Sequence, residues 1–154
     1  MRVWLLALAL AGCGSSAEKS DWEREHEEKL APADEPVVLP AYPRGELLEF
    51  STGPTSEFRF FVDPASISVG SGVVRYTLVA RSPTGATNVS FEAMRCRSGE
   101  VRIYAVGRDG GWAGRATEWR ATRMPWQNVL YRDYFCPLRQ AIASRDEGIR
   151  ALQR

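Results

Sequence analysis

The chain has 154 residues, of which 44% are hydrophobic and 25% charged, and its formal net charge is +1. This length accommodates one domain with a modest core, and the small net charge disfavours nucleic acid as a partner. With one histidine and three cysteines in the whole chain, the sequence offers few ligands for a metal ion and few bases to activate a nucleophile.

Residues 1–12 have the form of a lipoprotein signal peptide. Arg2 supplies a positive start, and Val3–Leu10 is an apolar run too short to span a bilayer. The next residues, Leu10-Ala-Gly-Cys13, resemble the bacterial lipobox, which predicts cleavage before Cys13 and lipidation of its sulfur. Because Gly14 follows the cysteine, we expect anchoring in the outer membrane with the domain facing the periplasm. An ordinary signal peptide and an uncleaved anchor are the alternatives.

Residues 13–45 are predicted to form an acidic, proline-rich tether. Ser20-Asp-Trp-Glu23 has the form of a capping box, which predicts a short helix to about Leu30. Glu18–Glu35 contains eight acidic and three basic residues, a net charge of −5, and four prolines between positions 32 and 43 favour extended chain. His26 lies on this helix beside glutamates, with no second histidine or nearby cysteine, so no metal or catalytic role is predicted for it.

Residues 46–154 are predicted to be one β-rich domain of the α+β class, an antiparallel meander of about five strands with a C-terminal helix packed on it. Leu47–Phe50 and Glu57–Asp63 read as the first two strands, with Pro64 ending the second, and Val69–Val73 as a tight return. From Pro137 onward, apolar residues recur at helical spacing, which predicts an amphipathic helix. They are Leu138, Ile142, Ile149 and Leu152.

The centre of the domain is predicted to be three consecutive strands, Val73–Arg81, Thr87–Arg97 and Glu100–Val106, joined by turns at Ser82–Gly85 and Ser98-Gly99. A two-residue loop at Ser98-Gly99 sets the register of the second hairpin. The expected pairs are Arg97 with Glu100, Cys96 with Val101, Arg95 with Arg102, Met94 with Ile103 and Phe91 with Val106.

This register predicts two different sheet faces. The core face is expected to carry Cys96, Met94, Val101, Ile103 and Ala105, and the second face Arg95, Arg97, Glu100, Arg102, Tyr104 and Phe91. Because facing like charges are destabilising, Arg95 opposite Arg102 predicts a negative group between them, supplied by an anionic ligand or by Glu92, Glu100 or Glu118. The candidate anion or partner surface is Arg95, Arg97, Arg102 and Tyr104. The alternative is that these arginines only solvate a surface; beyond Glu35 all sixteen basic residues are arginines, against eleven acidic ones.

Two further features complete the domain. Trp112, Trp119 and Trp126 are expected to cover one end of the core, with Glu118–Ala121 as an edge strand. If Cys13 is lipidated, Cys96 and Cys136 are the remaining thiols, and an oxidising compartment predicts a disulfide between them. Two buried free thiols are the alternative.

Taken together, these stretches resemble the CNP1-like family, a group of exported bacterial proteins. The resemblance covers about Asp21 to Pro137 and leaves the C-terminal helix outside it. It lies in Leu39–Pro43, Phe60–Asp63, Ser66–Gly70, Gly72–Val79, Ser82–Ala86, Asn88–Glu92, Arg95-Cys96, Arg102–Ala105 and Tyr134–Pro137. It implies a single envelope domain in which Cys96 and Cys136 recur, and it brings no activity or ligand.

The sequence does not predict an enzyme, a cofactor or a metal, since the domain has no histidine to activate a nucleophile. We expect a lipid-anchored envelope module that contacts another envelope protein through the sheet edge. The alternative is that the second face binds an anionic envelope component, a phosphate-bearing lipid or glycan. A hydrolase using carboxylates such as Asp109 and Glu118 is a further alternative, although their spacing does not aim them at one another.

Overall fold

The computed structural model describes residues 37–114 and 116–154. The predicted signal peptide, the lipidation site Cys13 and the helix predicted from Ser20 lie outside the described residues. Tyr42 and Pro40 contact the folded unit: the Tyr42 ring lies 5.2 Å from that of Trp112, whose Nε1 donates to the Pro40 carbonyl at 2.8 Å. The domain therefore includes chain that the sequence assigned to the tether.

The domain is built on an antiparallel sheet in which the first six strands follow one another as a meander, and the seventh pairs with the fifth. The strands are β1 Leu48–Phe50, β2 Arg59–Gly70, β3 Val73–Arg81, β4 Thr87–Arg95, β5 Glu100–Arg108, β6 Gly111–Gly114 and β7 Arg120–Ala121. The predicted antiparallel meander is confirmed, with β6 as an additional short strand beside β5. The edge strand expected over Glu118–Ala121 is present as β7, although it is limited to Arg120–Ala121.

The two predicted turns on either side of β3 are both present, and each contains a glycine with positive φ. Between β2 and β3, Ser71 and Gly72 both have positive φ, 51° and 72°, as a two-residue hairpin loop requires. Between β3 and β4, Gly85 has φ 88° and donates its N–H to the Ser82 carbonyl at 3.0 Å. Glycine has no Cβ to obstruct these angles, so the turn residues set the meander locally.

The prediction that Pro64 ends the second strand is wrong. β2 continues to Gly70 through a bulge between Asp63 and Ser68, where proline interrupts no ladder hydrogen bond. Within the bulge, the Ser66 hydroxyl takes the place of interstrand backbone hydrogen bonds. It donates to the Asp63 carbonyl and accepts from the Thr77 N–H, both at 2.7 Å. A buried side chain thus satisfies two backbone groups that the bulge leaves unpaired.

The predicted register of β4 and β5 is also wrong, by two residues. The chain makes a four-residue turn over residues 96–99, in place of a two-residue loop, so that Arg95 pairs with Glu100 and Met94 with Val101. None of the five expected pairs occurs: Arg102 pairs with Ala93, Ile103 with Glu92, and Phe91 with Ala105. A bulge at Tyr104 accounts for the last of these and moves Ala105 off the predicted core face.

One sheet face packs against the chain that follows β7. The core lies here, around Tyr76, Met94, Leu130 and Phe135, all essentially without solvent exposure. The covering elements are α1 Pro125–Val129, a π-helical turn Leu130–Phe135, a 3-10 turn Pro137–Arg139 and α2 Arg145–Leu152. None of the helices in the described residues is long and apolar enough to cross a membrane.

The C-terminal helix is confirmed but starts later than predicted. α2 begins after Ser144, whose hydroxyl accepts from the Glu147 N–H at 3.3 Å. Leu138, predicted to lie on its apolar face, is 94% exposed outside the helix. Of the three tryptophans expected to cover the core, Trp126 does so, stacking on Phe60 at 5.1 Å. Trp112 and Trp119 cover the other sheet face.

Candidate functional site

The sheet face opposite the helices carries three arginines on three neighbouring strands, Arg75 on β3, Arg95 on β4 and Arg102 on β5. Ala93 pairs directly with Arg75 on one side and with Arg102 on the other. Two strand spacings separate Arg75 from Arg102, so their Cα atoms are about 10 Å apart. Arg95 lies two residues further along β4 on the same face. We call these three residues the arginine cluster; Ala93, fully buried, is its centre.

Arg95 is held by a carboxylate and an aromatic ring. Its Nη1 lies 3.3 Å from Oε2 of Glu100, the residue opposite it on β5. Its Cζ lies 4.1 Å from the centre of the Trp119 ring, within cation–π range. Glu100 is thus the carboxylate that offsets the charge of Arg95, and it is one of the three glutamates predicted for this role. The reasoning from two facing arginines does not hold, because Arg102 is not opposite Arg95.

Arg102 and Tyr104 are next to each other on the same face, as predicted. The Arg102 Cζ lies 5.2 Å from the centre of the Tyr104 ring, and Tyr104 in turn lies 5.9 Å from Phe91. Aromatic rings therefore wall the arginine cluster on the side of β5. Arg97 does not belong to it: it is exposed in the turn after β4, and its carbonyl accepts two hydrogen bonds from Arg139, at 2.6 and 3.1 Å.

Arg75, which the sequence reasoning missed, is the residue that gives the cluster its excess positive charge. It is half-buried, and within the described chain it forms no ion pair and no hydrogen bond through its side chain. The Nε atoms of Arg75 and Arg95 and the Nε1 of Trp119 are buried donors without a hydrogen-bond partner. Buried donors are normally paired, so the cluster has hydrogen-bonding capacity that its own side chains do not use. The alternation of β3 could have identified Arg75 once the register was known.

The predicted disulfide is confirmed: Cys96 and Cys136 are joined, and each is 1% exposed. It ties the β4–β5 turn to the end of the π-helical turn. Directly after it, Leu138 and Arg139 both have left-handed backbone, with φ of 53° and 63°. Non-glycine residues adopt this conformation at a cost of about 1–2 kcal/mol each and persist there only when neighbouring contacts enforce it.

The helix-covered face contains a buried carboxylate that sequence reasoning assigned to the arginines. Glu92 accepts hydrogen bonds from Tyr76 Oη at 3.1 Å and from Ser90 Oγ at 2.6 Å. Burial raises the pKa of Glu92, although the two hydrogen bonds oppose this, and burial beside Glu92 raises the pKa of Tyr76 well above its ordinary value. Glu92 pairs with Ile103, on the face opposite the arginine cluster, so it offsets none of the arginine charge.

The two carboxylates considered for hydrolysis are not brought together. Asp109 follows the last residue of β5, whereas Glu118 adjoins Thr117, which is hydrogen-bonded to Ile103 near the start of that strand. The rise per residue of a strand places them roughly 20 Å apart, beyond the separation of a glycosidase pair. Among the described residues, no group of three histidine, cysteine, aspartate or glutamate side chains is arranged to hold a metal ion.

Comparisons with known proteins bear on the family alone. Searches of curated proteins and of solved structures found no match. The CNP1-like family matches residues 19–153, which includes all seven strands, both disulfide cysteines and the arginine cluster. Since this match spans most of the chain, the protein belongs to the CNP1-like family.

Proposed function

We propose that the protein is a lipid-anchored binding module of the bacterial envelope, and that its arginine cluster binds a phosphate-bearing envelope component. The observation that carries this proposal is Arg75: a half-buried arginine without an ion pair in the described chain, beside two more arginines. A phosphate offers several acceptor oxygens, and the planar guanidinium binds such groups through paired hydrogen bonds. Binding would supply acceptors for the buried donors of Arg75, Arg95 and Trp119.

The position of Ala93 supports a site between the arginines. Ala93 is small and fully buried, so the side chains of the cluster close over it and bring their charges towards its centre. Arg95 is oriented by Trp119 and Glu100 before any ligand arrives, which lowers the entropy lost on binding. The donors without a partner are buried, so we propose that the ligand binds where Arg95 is already oriented and that a local shift of the cluster's side chains exposes these donors to it.

The phosphate could come from a lipid headgroup or a glycan, and the test separates these sources. Full-length protein in dodecyl maltoside micelles, which contain no phosphate, is titrated with glycerol 3-phosphate and with N-acetylglucosamine 1-phosphate by calorimetry. We expect binding that weakens with salt and is at least about tenfold weaker in Arg75→Gln. Arg81→Gln is the matched control, because Arg81 lies on the same strand and face but stacks on Phe61 at 4.5 Å. No binding of either phosphate, or equal losses in both variants, contradicts the proposal.

The lipid anchor is tested separately. Cys13→Ala should leave an uncleaved or soluble protein, because the acylated sulfur is lost. Partition into detergent and mass spectrometry of the N-terminal peptide measure this. Unchanged partition in the variant would contradict lipidation at Cys13.

A second candidate function, contact with another envelope protein, is favoured by Leu138. A leucine that is 94% exposed in left-handed backbone is fixed by the adjacent disulfide and by the Arg139–Arg97 hydrogen bonds. This turn holds the Leu138 side chain rigidly in an exposed position, from which it could insert into an apolar pocket of a partner protein. The sheet edges are less suited, because β1 and β6 have only three and four residues.

Site-specific photo-crosslinking in intact envelopes tests this second function. A photoreactive residue at position 138 should yield a discrete adduct, and one at Phe58, an exposed aromatic outside the turn, should not. Adduct formation should also fall in Arg139→Ala, which releases the turn. No adduct at position 138, or the same adducts at both positions, would contradict a contact through Leu138.

A further inference from the structure

A cavity lies on the opposite side of β5 from the arginine cluster, beneath the segment that leads from β7 into α1. It has a volume of about 600 Å³, within the size range of small-molecule sites. Its lining residues are Val101, Ile103, Thr117, Arg120, Ala121, Arg123, Met124 and Gln127. We call it the β5 cleft.

The walls of the β5 cleft are preformed by hydrogen bonds. Thr117 and Ile103 exchange two bonds of 2.9 and 3.0 Å, with the Thr117 hydroxyl accepting one of them. The side-chain carbonyl of Gln127 accepts from the backbone N–H groups of Arg123 and Met124, at 3.3 Å each. Both polar side chains are therefore engaged in holding the walls. The cleft does not depend on a ligand for its shape.

What remains for a ligand is an aliphatic surface and two positive charges. Val101, Ile103 and Met124 provide branched and flexible aliphatic surface, and none of the described lining residues is aromatic or acidic. Arg120 and Arg123 form no ion pair within the described chain. Two arginines without carboxylate partners, placed over an aliphatic floor, complement a molecule with an anionic head and a hydrocarbon chain.

We propose that the β5 cleft binds an anionic amphiphile with a single alkyl chain, its head group paired with Arg120 and Arg123 and its chain against Val101, Ile103 and Met124. This site is distinct from the arginine cluster. Val101 and Ile103 face the helices, whereas Arg102 between them faces the other side. The inference therefore stands or falls independently of the proposed phosphate site.

The test uses full-length protein in phosphatidylcholine nanodiscs, with methyl groups of Ile103 and Met124 labelled for NMR. Octanoate and octyl phosphate are the probes, which separates a carboxylate head from a phosphate head, and octanol is the neutral probe of equal chain length. We expect both anions to shift the two methyl signals in a saturable way, and octanol to bind at least about tenfold more weakly because it lacks the charge.

Variants assign the binding to residues. Arg120→Gln/Arg123→Gln should weaken octanoate binding at least about tenfold. Arg150→Gln/Arg154→Gln removes the same charge from exposed positions at the C-terminus and should not change it. Arg75→Gln should also leave it unchanged, which keeps this site separate from the phosphate site. Unshifted methyl signals, equal affinity for octanol and octanoate, or equal losses in the two double variants would overturn the proposal.

Discussion

Removing the Cys96–Cys136 disulfide should cost the domain about 4 kcal/mol of unfolding free energy. The two cysteines are 40 residues apart, and the chain-entropy model assigns a loop of this length about 4 kcal/mol at 25 °C. Domains of this size have about 5–15 kcal/mol in total. The bridge closes the loop that contains β5, β6, β7 and α1. Without the bridge, this whole segment gains conformational freedom in the unfolded chain, which favours unfolding.

The assay is urea unfolding of Cys96→Ala/Cys136→Ala and of the parent protein, followed by tryptophan fluorescence. The midpoint should fall markedly, and the parent protein in reducing buffer should approach the variant. A loss below about 1 kcal/mol would refute the reasoning, because loop closure would then contribute little to stability.

Three further predictions concern stability. Ser66→Ala should lower the unfolding free energy by about 3 kcal/mol in urea, because it leaves the buried Asp63 carbonyl and Thr77 N–H without a hydrogen-bond partner. Exposed Ser68→Ala is the control, and equally small losses of stability in the two variants would contradict the role of Ser66. Leu138→Gly should gain about 0.5–1 kcal/mol by relieving left-handed backbone while abolishing any contact through Leu138, and a loss of stability would contradict the strain. Burial raises the pKa of Glu92, so the native state holds this proton more tightly than the unfolded chain, and stability falls as the pH rises above the ordinary carboxyl range. Glu92→Gln should therefore gain stability relative to the parent between pH 4 and pH 8, and a gap that narrows with pH would contradict this sign.

The meander was predictable from sequence because its turns are encoded locally. Gly72 and Gly85 adopt positive φ at the positions where the hydrophobic runs end, and each turn places consecutive strands side by side. The β4–β5 turn was harder, because Ser98-Gly99 suits a two-residue loop while the turn spans residues 96–99. There, Tyr131 Oη donates to the Cys96 carbonyl at 2.7 Å and Thr122 N–H to the Gly99 carbonyl at 3.0 Å. These contacts come from distant chain and cannot be read locally.

The error of two residues explains why the faces were largely right while the pairs were wrong. Side chains alternate with a period of two, so a shift of two residues keeps Met94 with the core and Arg95 on the other face. It does change the partners: Arg95 meets Glu100 in place of Arg102. Arg75 was missed for the related reason that its neighbours across β4 depend on tertiary pairing. Of the candidate site, the sequence could therefore predict the chemistry of the face but not its geometry.

The central claim, that the arginine cluster binds phosphate, is tested most directly at the donor atoms themselves. Full-length protein with labelled arginine side chains is titrated with glycerol 3-phosphate in phosphate-free dodecyl maltoside micelles, and the Nε–Hε NMR signals are followed. We predict saturable shifts of the Arg75 and Arg95 signals, whose Nε atoms are buried without a partner, and an unchanged Arg81 signal. Unshifted Arg75 and Arg95 signals at saturating phosphate would contradict the claim.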